Sequence, residues 1–163
     1  KAISIHKGPV YLRFGRPKVP NFTDPDQKFE IGKAITFNEG NDVTVFATGH
    51  LLWKAIKAAE ILEKKGISAE VINIHTIKPL DKNAVIESIM KTRAVVTAEE
   101  HLRNGGLGDT IAQFLGRNLP TPVEMVAVDD QSGESGKPEE LLQKYNIDTP
   151  NIVAAVETVI MRK

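Results

Sequence analysis

From Phe29 onward, short apolar, β-branched runs alternate with stretches in which apolar residues return every three or four positions. Val43–Ala47, Ala69–Ile74, Arg93–Ala98 and Val123–Val128 are the runs, and each predicts a strand. Arg93–Ala98 shows no polar alternation, as suits a strand buried on both faces of a parallel sheet. Helical spacing follows. Leu51, Leu52, Ala55, Ile56, Ala59 and Leu62 form one stripe, which predicts a helix to about Lys65 with Thr48 as its cap and Gly66 as its stop. Trp53 falls off the centre of that stripe, so it reads as a flank or interface residue. Asp81 predicts the N-cap of a helix to about Met90, with Leu80 and Val85 as its hydrophobic staple. Leu107, Ile111, Phe114 and Leu115 give a further apolar face. Pro138 opens a short helix to about Tyr145, and Thr149-Pro150 opens the last, which ends in Arg162 and Lys163 where the macrodipole favours cations.

Two places bend this rhythm. Lys33–Phe37 and Val43–Ala47 flank the turn-rich Asn38–Asp42, which predicts a β-hairpin and one antiparallel edge strand. Before Phe29, Val10–Phe14 predicts a strand, and three prolines from Pro17 to Pro25 make a semi-rigid linker. The expected organisation is therefore a terminal strand of a preceding domain in residues 1–16, a linker in 17–28 and a compact domain in 29–163. With no initiator methionine and an opening that looks like the tail of an element, the chain is expected to be a fragment or processed product. Strands alternating with helices predict right-handed crossovers, hence an α/β fold. Its form would be three-layer α/β/α, with a mainly parallel sheet of about five strands and one antiparallel edge strand.

Composition narrows the function. The 163 residues suffice for one good core, and 21 Lys plus Arg balance 21 Asp plus Glu, so no overall field draws nucleic acid. There is no basic block and no apolar run of membrane-spanning length, and the absence of cysteine excludes disulfides and thiol chemistry. A cytoplasmic location is the default expectation.

Candidate chemistry gathers between the third buried run and the helix after it, in Glu99, Glu100, His101, Gly105, Gly106 and Gly108. The carboxyl end of a strand is where open α/β sheets dock ligands. Gly106-Leu107-Gly108 before a helix suits an anion, because helix N-termini present free amides. Against that, Ile111 stands where a third glycine would complete the fingerprint, and Glu99 and Glu100 would repel phosphate. The same glycines equally let helix and sheet approach closely. Glu99, Glu100 and His101 could serve as an acid/base set or as a hydrogen-bonded network that fixes the turn or a neighbouring domain. His75, at the end of the strand expected beside it, could approach His101, although two histidines make a poor metal site. Arg13 and Arg16 bracket the end of the first strand and could hold a phosphate, or could simply be solvated residues entering the linker. No nucleophile, base and oxyanion hole can be named together, so no residue is assigned as catalytic and none as a metal ligand.

Taken together, His75-Thr76-Ile77-Lys78-Pro79-Leu80-Asp81, Glu99-Glu100-His101 with Gly105-Gly106-Leu107-Gly108, and Gly133-Glu134-Ser135-Gly136 before Pro138-Glu139-Glu140-Leu141-Leu142 resemble the C-terminal domain of transketolase. Gly8–Pro17 resembles the last strand of that enzyme's pyrimidine-binding domain, and the nearest likeness is to the C-terminal half of split, two-subunit transketolases. The resemblance implies a role in transferring a two-carbon ketol unit between sugar phosphates, with thiamine diphosphate and Mg2+ in the complete enzyme. It also implies that the cofactor and its activating glutamate lie in other domains, so none is expected in this chain. Arg16 then matches the substrate-phosphate arginine, with Arg13 a weaker second. The implied partners are the rest of the enzyme and a second copy in a dimer. Because polar groups at the carboxyl end of a central strand need partners once buried, Glu99, His101 and Gly105–Gly108 are expected to face another domain or subunit. The 2-oxo acid dehydrogenase beta subunit, in which glycine usually replaces His101, and deoxyxylulose-phosphate synthase, which varies the Glu-Glu-His, share this domain. A stand-alone nucleotide-binding or docking module is the alternative outside that enzyme class.

Overall fold

The unbroken apolar runs of the sequence end up inside one five-stranded sheet. The computed structural model describes residues 1–15 and 17–163, and Arg16 lies outside the described residues. The strands are β1 (Ile35–Asn38), β2 (Val43–Ala47), β3 (Ala69–Asn73), β4 (Val95–Leu102) and β5 (Val123–Val128), in the spatial order β1-β3-β2-β4-β5. β3, β2, β4 and β5 run parallel, and β1 lies antiparallel to β3 at the edge. The helices are α1 (Leu51–Lys64), α2 (Lys82–Thr92), α3 (Leu107–Asn118), α4 (Pro138–Lys144) and α5 (Thr149–Ile160).

Strand parity sorts the core into two layers. Val43, Val45 and Ala47 of β2 point with Val71, Val96, Ala98 and Val126 into a cluster closed by α1 and α5. Phe46, Ile72 and Val95 point the other way, into a cluster closed by α2 and α3. Successive side chains of a strand alternate faces, so every second residue is committed to one layer. The expected three-layer α/β/α architecture is what the chain adopts.

The helix signals hold in most places. Asp81 caps α2 by accepting from the Ala84 amide, and Leu80 packs on the cluster that contains Val85. Asp148 caps α5 in a reciprocal capping box with Asn151. Gly66, at φ +78°, closes α1, with its amide on the Glu63 carbonyl and the Ile67 amide on Leu62. Thr48 does not cap α1. Its amide instead continues the β2–β4 ladder to the Ala98 carbonyl, and His50 occupies the N-cap position.

Three expectations are corrected. β1 and β2 do not form a hairpin, because β3 inserts between them. The turn residues did reverse the chain, but the amides of Asn41 and Asp42 bond to the Ser68 carbonyl, carrying the connector across the start of β3. β4 is longer than its apolar run and continues through Glu99, Glu100 and His101, re-pairing at Leu102 with Val128 after a register irregularity. Val10–Phe14 forms no strand and lies outside the sheet, with Tyr11 88% and Phe14 84% exposed.

The proline segment is docked to the domain. Phe22 stacks on Trp53 at 5.4 Å and meets Phe37 edge-on at 5.7 Å, while the Lys57 ammonium lies 4.7 Å over the Trp53 ring. Trp53 is thus the flank residue its position predicts.

Candidate functional site

The chain leaves β2 through α1 toward β3, and leaves β4 through α3 in the opposite direction, toward β5. The carboxyl ends of β2 and β4 therefore flank the topological switch point, where open α/β sheets form their crevice. Thr48, Gly49 and His50 stand on one side of it, and Glu99, Glu100 and His101 on the other.

Parity sends the two glutamates apart. Glu99 points with Thr97 toward α3 and is 1% exposed. Its carboxylate accepts the Leu107 amide at 2.7 Å on one oxygen and the Gly108 amide at 2.8 Å on the other. These are free donors of the first turn of α3, so a charged side chain from the preceding strand caps the helix. Space is tight here. A Cβ on Gly106 would overlap the Glu99 carboxylate, and one on Gly108 would lie 2.8 Å from Met125 Sδ and 3.0 Å from Thr97 Oγ1. Close approach is what these two glycines provide.

That arrangement decides the phosphate question for this turn. The anion position at the N-terminus of α3 is filled by the chain's own carboxylate. The residues present do not fit a diphosphate there: a phosphate would have to displace a buried, doubly bonded Glu99. Among the described residues no group of three or more His, Cys, Asp or Glu is placed to hold a metal ion.

Glu100, with the opposite parity, turns toward the start of α1 and pairs with His50 at 3.0 Å. His101 is exposed, and its Nδ1 lies 2.9 Å from the Leu102 carbonyl. Glu99, Glu100 and His101 are therefore consecutive in sequence and engaged in three separate places. Gly105 donates its amide to Asp109 at 2.6 Å, and Arg103 bonds Asp129 across the ends of β4 and β5 at 2.7 Å.

His75 does not join His101, because β2 lies between β3 and β4. It serves the incoming chain instead. Phe29 packs over its imidazole at 4.3 Å, its Nδ1 lies 2.9 Å from Thr76 Oγ1, and its buried Nε2 has no hydrogen-bond partner. Burial pushes its pKa below the ordinary histidine value. Six residues on, Asp81 accepts the Ala34 amide at 3.0 Å as well as capping α2. The His75–Asp81 motif is a dock for residues 29–34.

Arg13 is exposed on the N-terminal segment outside the sheet, and Arg16 lies outside the described residues. Two features escaped the sequence reading. One is the His50–Glu100 pair, signalled only by the parity of Glu100. The other is a buried polar chain in which Thr44 bonds Ser88 at 2.5 Å and Thr92 at 2.6 Å, Ser88 bonds Glu70, and Glu70 pairs with Lys91 at 2.7 Å.

Comparison with known proteins agrees with this architecture. Residues 32–152 match the family described as "Transketolase, C-terminal domain". The 6-deoxy-6-sulfo-D-fructose transketolase subunit of Clostridium sp. is 45% identical over 161 residues, which are 99% of this chain and 50% of that protein. An apulose-4-phosphate transketolase subunit of Phocaeicola vulgatus is 37% identical over 153 residues, 93% of this chain and 49% of that protein. A solved structure described as "Split gene transketolase, inactive beta4 tetramer" superposes with a TM-score of 0.94 at 43% identity, covering 98% of this chain and 54% of that one. The chain thus spans about half the length of the relatives it matches.

Proposed function

This chain belongs to the transketolase C-terminal domain family, and on that premise we propose that it is the C-terminal part of a transketolase that moves a two-carbon ketol unit between sugar phosphates. In this reading it serves assembly and domain or dimer contacts, and it transfers nothing alone. Residues 1–16 are the last strand of a preceding pyrimidine-binding domain, 17–28 the linker and 29–163 the C-terminal domain. The exposed apolar side chains of Val10–Phe14 support this division, since a strand made for another sheet leaves them uncovered.

The observation that carries the proposal is the Glu99 carboxylate seated on the α3 amides. It closes the position a nucleotide-binding module would use, and it leaves the switch point as a surface of engaged side chains. Thiamine diphosphate and Mg2+, which the complete enzyme would use, belong on this reading to its other domains, and the remaining domains or subunit are the principal partner. The relative solved as an inactive beta4 tetramer accords with the idea that this half needs another.

Arg16, with Arg13 as a second, is the proposed contact to the substrate phosphate. Replacing Arg16 by alanine in the complete enzyme should raise KM for phosphorylated sugars by about one to two decades, the worth of a charge-assisted contact of about 1.5–3 kcal/mol. Unphosphorylated sugars should be nearly unaffected. Equal effects on both classes would make Arg16 structural and remove the phosphate assignment.

A further inference from the structure

We infer that His50, paired with Glu100, is a positioning residue that seats the Gly15 peptide, one residue before the proposed phosphate contact. The inference rests on the reading of Arg16 as the phosphate contact, and it is carried by the switch point. His50 stands at the N-cap of α1 after β2 and Glu100 lies on β4, so their 3.0 Å pairing spans the two strand ends that flank the crevice. The Glu100 carboxylate lies beside Nδ1 and helps hold the imidazole in place. The His50 side chain is only 17% exposed. The opposite edge of the ring, Cε1 and Nε2, faces Gly15 so closely that a Cβ at Gly15 would overlap it.

Gly15 immediately precedes Arg16 in the sequence. On the other side of position 16, Phe22 is clamped between Trp53 and Phe37. The chain therefore meets the domain at Gly15, by a ring against a bare backbone, and again at Phe22, by aromatic packing. Neither contact touches a phosphate. A histidine serves here because its plate is rigid and can meet Glu100 at Nδ1 while its Cε1–Nε2 edge lies against the peptide. Gly15 serves because any side chain would push the segment off the plate.

The test is a double-mutant cycle in the complete enzyme with Gly15→Ala, His50→Ala and the pair, read as KM and kcat for a phosphorylated and an unphosphorylated sugar. Each single change should raise KM for the phosphorylated sugar about three- to tenfold with kcat little altered, and Glu100→Gln should shift it in the same direction. The pair should be no worse than Gly15→Ala alone, because removing the ring relieves the overlap; contacting residues commonly couple by about 0.5–3 kcal/mol, about two- to a hundredfold. If the two single effects simply multiply, or if His50→Ala leaves KM unchanged while Arg16→Ala raises it, the seat does not exist and the phosphate assignment survives. If the coupling is found but is equal for both sugars, the seat stands and the phosphate role of Arg16 fails. Should a variant be too damaged to assay, thermal denaturation of the same four enzymes gives the same cycle, and additive shifts overturn the inference.

Discussion

At the scale of single residues, the bond that organises the switch point is Glu99 on the first turn of α3. Glu99→Ala would leave the Leu107 and Gly108 amides buried without acceptors, each at about 1–3 kcal/mol. Chemical denaturation should therefore show a loss of several kcal/mol for Glu99→Ala. The loss should be smaller for Glu99→Gln, whose single carbonyl still accepts one amide. Equal, negligible losses in both would mean that the helix is capped by something else. His75 makes a prediction in pH. Because burial favours its neutral ring, the unfolded chain takes up a proton that the folded one resists, beginning near the ordinary histidine value of 6.5. Its contribution is complete above that value and is lost as pH falls below it. Denaturation of the parent chain and of His75→Gln across pH 8 to about 5 should show the parent losing stability more steeply on acidification. Parallel profiles would show that this ring does not titrate against the fold.

Elements show how far the sequence could be read. The helices were legible because α2, α5 and the end of α1 carry their own caps, and local rules suffice for those. The antiparallel edge strand was legible too, but its neighbour was not. A turn such as Asn38–Asp42 fixes that the chain reverses, whereas the insertion of β3 depends on which apolar run is buried on both faces. The end of β4 followed the same pattern: its apolar run stops at Ala98, while pairing with β5 resumes at Leu102. Parity along β4 was available in the sequence and would have separated Glu99 from Glu100; adjacency at the end of the apolar run placed them together. The proline linker was legible as irregular but not as docked, since only the fold brings Phe22 to Trp53. Aromatic pairs of this kind add about 0.5–1.5 kcal/mol. Phe22→Ala should accordingly speed tryptic cleavage at Lys18 by about two- to tenfold. An unchanged cleavage rate would mean that the stacking does not hold the linker down.

For the whole molecule, a sheet domain with both faces covered by helices is joined to an N-terminal segment whose apolar side chains are exposed. The most direct test is calorimetric. Thiamine diphosphate with Mg2+ is titrated into this chain alone, and into the chain combined with the protein parts that carry the cofactor-binding domains. The account predicts saturable binding and ketol transfer only from the combination, and no saturable micromolar binding by the chain alone. Saturable micromolar binding by the chain alone would contradict it.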